Sequence, residues 1–128
     1  MLGHVSFGVR DLARTRAFYD ATMSALGYAR VFAGPASVAY GLPGSDNDRL
    51  RLILTPDPIT PPGPGFHLAF VAPSRAAVDR FHRAALRFGG IDQGPPGLRP
   101  HYGPNYYAAF VLDPDGYKLE AKHPPPER

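Results

Sequence analysis

Residues 4–27, HVSFGVRDLARTRAFYDATMSALG, and residues 67–90, HLAFVAPSRAAVDRFHRAALRFGG, carry one pattern twice. Aligned without a gap, they match His4 with His67, Phe7 with Phe70, Ala13 with Ala76, Phe18 with Phe81, Ala21 with Ala84 and Gly27 with Gly90. Those are six identities in 24 positions, where composition alone gives about two. Each copy opens on a β-forming run, 4–9 or 67–72, whose alternation predicts a strand. Each then supplies a helix N-cap, Asp11 or Ser74, followed by apolar residues at helical spacing. These are Leu12, Phe18, Tyr19, Met23 and Leu26 in the first copy, and Val78, Phe81, Ala85 and Phe88 in the second. Gly27 and Gly89-Gly90 supply the stops.

Beyond the first helix the pattern predicts strands over 28–33, 37–42 and 50–55, the last two separated by the turn-rich PGSDND. The first half therefore reads β-α-β-β-β. Residues 55–65, TPDPITPPGPG, hold five prolines, which no helix or central strand tolerates, so the halves meet here. The second half continues as a stretch from Ile91 broken by proline and glycine, a strand over 106–112, the turn Asp113-Pro114-Asp115-Gly116, and a strand over 117–123. The expectation is one α+β domain: module 1 over 1–56, a linker over 57–65, module 2 over 66–123 and a frayed tail over 124–128.

At 128 residues with 44% apolar and 12% aromatic side chains, the chain has material for one core and not for two ordinary domains. No apolar run approaches the roughly 18 residues that span a bilayer. Nor does the start show a basic segment leading into a signal-like apolar run, so a cytoplasmic protein with no membrane partner is expected. The net charge is +3, but the arginines are dispersed and both lysines lie near the end. No clustered basic stripe suggests a nucleic-acid partner. With no cysteine, a metal site has to use His, Asp, Glu or backbone oxygen.

Strand alternation places His4 on one face with Ser6 and Gly8, and His67 with Ala69 and Val71. Small neighbours leave room beside each histidine. If the two units pack about a pseudo-twofold axis, the histidines can approach one another, and Glu120, between apolar Leu119 and Ala121, is the candidate third group. Two imidazoles and a carboxylate suit a divalent ion such as Zn, Mn, Fe, Ni or Co. The plainer alternative is that the histidines are hydrogen-bonded core or rim residues and Glu120 a solvated strand residue.

These segments, together with YYAAFVLDPDGYKLEA (106–121), resemble the glyoxalase, bleomycin-resistance and extradiol-dioxygenase superfamily, also called vicinal oxygen chelate proteins. The resemblance covers almost the whole chain. It is sharpest at the aspartate-proline-x-glycine hairpin, which in the family is followed four residues later by a metal-ligating glutamate, here Glu120. It implies His4 and His67 as the other ligands, a curved mixed sheet or partial barrel around a central pocket with helices outside, and a homodimer. The site would then lie within one chain or across exchanged modules.

The resemblance further implies an enzyme acting on an oxygen-bearing small-molecule substrate as a lyase, isomerase, transferase or ring-cleaving dioxygenase. Glyoxalase I enzymes take a fourth ligand from the last strand of the first module, where this chain has Arg49-Leu50-Arg51-Leu52-Ile53-Leu54-Thr55 and no ligand. That departure argues against glyoxalase I activity. Two readings compete with the enzyme: a metal-free ligand-sequestering protein of the bleomycin-resistance type, and a structural or regulatory dimer.

Residues 97–107, GLRPHYGPNYY, gather polar and aromatic groups into a candidate pocket lip. There Arg99 would pair with an anionic substrate, Tyr102 and Tyr106 would stack or donate hydrogen bonds, and His101 would serve as general acid or base. A proline-ordered surface loop is the alternative. His82 and His123 are expected at the surface. Lys118 and Lys122 share a strand face with Glu120, which is awkward for a buried ligand unless both reach the rim.

Overall fold

A computed structural model describes residues 2–126. The chain order is β1 (Val5–Val9), α1 (Leu12–Ala25), β2 (Ala29–Ala33), β3 (Ser37–Gly41) and β4 (Leu50–Leu54), then β5 (Leu68–Val71), α2 (Arg75–Arg87), β6 (Ile91–Leu98), β7 (Tyr107–Leu112) and β8 (Lys118–His123). The repeated β-α-β-β-β reading holds through both halves. Each module makes its own four-stranded mixed sheet, in the orders β1-β4-β3-β2 and β5-β8-β7-β6. The first strand of each module pairs in parallel with the last, and the remaining pairs are antiparallel. Among the described residues no closed barrel forms.

The helices start where their caps place them. Asp11 accepts from Arg14 N at 3.1 Å and Ser74 Oγ from Ala77 N at 3.0 Å, each satisfying one of the free N–H groups of a first turn. They stop at glycines with positive φ, Gly27 at 88° and Gly89 at 99°, a conformation that costs glycine little. The inner faces of α1 and α2 pack on each other and on the sheets. Phe18, Tyr19 and Met23 join Val78, Phe81 and Ala85, with Val38, Leu52, Val111 and Leu119 beneath them, in one core shared by both modules.

The stretch from Ile91 is more regular than its prolines suggest. Residues Ile91–Leu98 form an eight-residue strand, interrupted by irregular pairing between Asp92 and Gly94 and between Gly94 and Gly97. As the edge of its sheet it can hold Pro95-Pro96, because an edge strand has one side whose N–H groups need no ladder partner.

The expectation of surface sites for His82 and His123 is corrected. The His82 side chain is 12% exposed, and its Nε2 lies 2.9 Å from Asp92 Oδ1, because β6 runs back along α2. His123 belongs to β8, and its Nδ1 lies 2.9 Å from Ala72 O. Residues 124–126 follow without regular structure, and the end of the tail, 127 and 128, lies outside the described residues. Among the described residues no helix is long and apolar enough to cross a membrane.

The Asp113–Gly116 hairpin is fastened from three directions. Asp113 is 2% exposed; its Oδ1 accepts from the backbone N of Asp115 and Tyr117 at 2.9 Å, and its Oδ2 from Tyr19 OH at 2.6 Å. Asp115 Oδ1 in turn accepts from Arg10 N, Arg10 Nη1 and Arg14 Nη2, each at 3.2 Å. Burial raises the Asp113 carboxyl above its ordinary range, with Tyr19 and the two amides pulling the other way. Burial and then Asp113 hold the Tyr19 phenol well above its own. The first module thus grips the turn that sets the direction of β8, the strand carrying Glu120.

Candidate functional site

β8 lies between β5 and β7, and its alternation divides its side chains. Leu119 and Ala121 enter the core against α2, so Lys118, Glu120 and Lys122 lie on the opposite face. In register, Glu120 stands between Ala69 of β5 and Phe110 of β7. Ala69 leaves room for His67, whose Nε2 reaches 2.9 Å from Glu120 Oε1. Glu120 Oε2 accepts from Tyr106 OH at 2.6 Å. The carboxylate is 1% exposed and both its oxygens are engaged, as a buried charge requires. Burial, and then the Glu120 carboxylate, raise the Tyr106 phenol above its ordinary value.

The two lysines do not crowd Glu120. Lys118 Nζ turns to 5.3 Å from the Phe110 ring centre, and Lys122 Nζ to 5.0 Å from that of Tyr106. Each ammonium is held over an aromatic face, which removes the awkwardness of three charges on one strand face.

In front of His67 a cleft of about 250 Å³ opens, lined by His67, Gln93, Gly94, Arg99, His101, Tyr102, Phe110 and Lys118. The lip is an ordered loop: Arg99 N donates to Tyr106 O at 2.7 Å around the short 3₁₀ turn Pro100–Tyr102. His101 and Tyr102 have ring centres 4.2 Å apart, and Tyr102 and Tyr106 5.2 Å. Aromatic rings thus run from the lip to Glu120. Of the residues singled out in the sequence, His67, Glu120, Arg99, His101, Tyr102 and Tyr106 meet in this one region, and the Tyr106 hydroxyl is committed to Glu120.

His4 stands elsewhere. It lines a second, more apolar cleft of about 370 Å³ with Val5, Met23, Tyr40, Arg49 and Phe70. Among the described residues of one chain, no three His, Cys, Asp or Glu gather closely enough to hold an ion. On β4, Arg51 pairs with Ser6 as Glu120 pairs with Ala69; it donates to Asp48 Oδ2 at 2.9 Å and Ser37 Oγ at 2.8 Å and lies over Phe32.

Phe110, Gln93 and Lys118 are wall residues that sequence reasoning did not assign to the site. Phe110 had a signal: counting outward from the hairpin pairs it with Glu120. Gln93 had none, because its place depends on the irregular pairing of β6.

A family model described as Glyoxalase/Bleomycin resistance protein/Dioxygenase superfamily matches residues 1–121. A glyoxalase/bleomycin resistance protein from Albidiferax ferrireducens T118 is 34% identical, with a TM-score of 0.82 over 97% of this chain and 98% of that one. A protein from Bacillus halodurans is 29% identical, with a TM-score of 0.69 over 97% and 96%. A V278E mutant of glyoxalase I from Zea mays is 26% identical with a TM-score of 0.65, over 93% of this chain and 44% of that one. Among curated proteins nothing matches. With the repeated module, the hairpin and the glutamate that follows it in place, the chain belongs to the glyoxalase, bleomycin-resistance and dioxygenase superfamily.

Proposed function

We propose that the protein is a metal-dependent enzyme of the vicinal-oxygen-chelate type, acting on a small oxygen-bearing molecule through an ion held by His67, Glu120 and His4 of the partner subunit in a homodimer. The observation that carries this reading is the 2.9 Å separation of His67 Nε2 and Glu120 Oε1. Adjacent donors around an ion bonded at about 2.1 Å stand about 3 Å apart when they subtend a right angle. The carboxylate is buried and steadied from behind by Tyr106, which is how supporting groups orient a ligand.

The partner is invoked because His4 and His67 line separate clefts in one chain. β1 and β5 are sheet edges, and module 1 exposes Leu2, Phe32, Leu42, Ile53 and Leu54. Both features suit a second copy.

Bound there, a divalent ion supplies Lewis-acid stabilisation of negative charge on a ligand oxygen. The chain's own groups supply the rest. Tyr106 holds the Glu120 carboxylate, Arg99 would pair with the ligand's negative end, and His101, beside Tyr102 at the lip, would accept or donate a proton. The zinc, manganese, iron, nickel and cobalt possibilities share this donor set.

A metal-free ligand-sequestering protein is the second reading. It is favoured by one observation: His67 and Tyr106 already satisfy both Glu120 oxygens.

Elemental mass spectrometry on untagged protein separates the two. Near-stoichiometric metal, lost in His4→Ala, His67→Ala and Glu120→Ala, supports the enzyme reading; no metal even after reconstitution sinks it. Co-expressing His4→Ala with Glu120→Ala tests the shared site. Mixed dimers regain one intact site each, so metal should return to about a quarter of all sites in a random twofold assembly. No recovery would place the whole site within one chain.

A further inference from the structure

Gly94 and Gly97 of β6 share one neighbour. A Cβ on Gly94 would stand 3.2 Å from Arg99 Nη2, and a Cβ on Gly97 would stand 3.2 Å from Arg99 Nη1. The guanidinium therefore lies along β6 in space that two missing side chains leave open, and Nη2 donates to Pro95 O at 2.7 Å. Its carbon is 5.6 Å from the Phe110 ring centre, and Lys118 Nζ is 5.3 Å from the same centre. His67 meets that ring edge-on at 5.7 Å.

Among the described residues, neither Arg99 nor Lys118 takes part in an ion pair. The nearby carboxylate, Glu120, is engaged by His67 and Tyr106. Two cations thus line one cleft around one aromatic ring, neither of them in an ion pair among the described residues. Walls of low dielectric focus such a field into the cleft. A guanidinium held flat before binding also loses less freedom when it pairs with an oxyanion.

We propose that Arg99 and Lys118 form the receptor for the anionic end of a compact carboxylate or phosphate-type ligand whose carbon atoms rest on Phe110. The cleft, at about 250 Å³, falls below the roughly 300–1,000 Å³ of sites for drug-sized ligands, so the ligand is small. This inference rests on reading the cleft as the ligand site, and it does not require the ion.

The test uses the full chain stripped of metal with EDTA. Benzoate and phenyl phosphate are titrated in as the carboxylate and phosphate probes, with benzyl alcohol as the uncharged control, while amide NMR signals are followed. At least one anion should shift the signals of Gly94, Gly97, Phe110 and Lys118 saturably, and benzyl alcohol should not. Affinity should fall about tenfold or more in Lys118→Met and in Arg99→Met. It should also fall in Gly97→Ala, which keeps both cations but displaces one. Lys122→Met should bind as the wild type does, since its ammonium lies over Tyr106 instead.

Absence of binding, equal binding of benzyl alcohol, or wild-type affinity in either Lys118→Met or Arg99→Met overturns the proposal. Metal content is measured separately, so a protein that binds the anion but no metal refutes only the metal centre.

Discussion

Replacing Tyr19 by phenylalanine isolates the bond that joins the first helix to the β7–β8 hairpin. The ring volume is kept, so almost no cavity forms, and what disappears is a 2.6 Å hydrogen bond between a fully buried hydroxyl and a carboxylate that is 2% exposed. Hydrogen bonds to charged groups contribute about 1.5–3 kcal/mol. Asp113 keeps its two backbone donors on the other oxygen, so the loss should fall in the lower half of that range, about 2 kcal/mol.

With a urea m-value of about 1–3 kcal/mol/M, the unfolding midpoint should drop by about 1 M at neutral pH with m unchanged. The pH dependence has a definite sign. The folded state holds the Tyr19 proton to higher pH than the unfolded chain does, so this group's contribution is complete below about pH 10 and declines above it. The gap between wild type and Tyr19→Phe should be constant from neutrality to about pH 9 and narrow beyond pH 10. A midpoint change below about 0.3 M at neutral pH would refute the idea that this bond fastens the hairpin.

The remaining expectations concern the site, the packing and the alkaline limit. Tyr106→Phe, which frees the second Glu120 oxygen, should weaken metal binding about 10–100-fold in a competition titration with a chromophoric chelator, while near-native circular dichroism is retained; unchanged affinity would show that Tyr106 does not orient Glu120. Gly90→Ala places a Cβ 2.7 Å from Ala85 O and 3.0 Å from Leu112 O, contacts with backbone that cannot move aside. It should cost about 1–3 kcal/mol and lower Tm by several degrees in calorimetry. Tyr28, Tyr40 and Tyr117, like Tyr19, are raised chiefly by burial; absorbance at 295 nm should therefore show phenolate appearing late and together with unfolding as pH rises past about 10.

The architecture was legible because it is written in local signals that repeat. Asp11 and Ser74 cap helices as their side chains dictate, and the prolines of 55–65 leave no element but a connection. β6 escaped because Gly-Pro-Pro-Gly reads as a break wherever strand propensity is judged residue by residue. Only its place at the edge of a sheet, a fact of tertiary structure, makes it tolerable. His82 and His123 were misplaced for a related reason: each finds its partner, Asp92 or Ala72, on an element whose path the local sequence does not reveal.

The site divides along the same line. Glu120 follows from strand alternation and the hairpin count, and His67 from the repeat, and one chain brings the two within 2.9 Å. His4 follows from the same repeat with equal force, yet in one chain it lines the other cleft. A duplicated module makes the two histidines equivalent in sequence, but it says nothing about which copies of the module face each other. Within one chain the halves share a single core, so the proposed shared site turns on what a second copy would cover, which is not written in the alternation of a strand. Complementation between His4→Ala and Glu120→Ala is therefore the informative experiment, because it asks which module faces which rather than whether each residue matters.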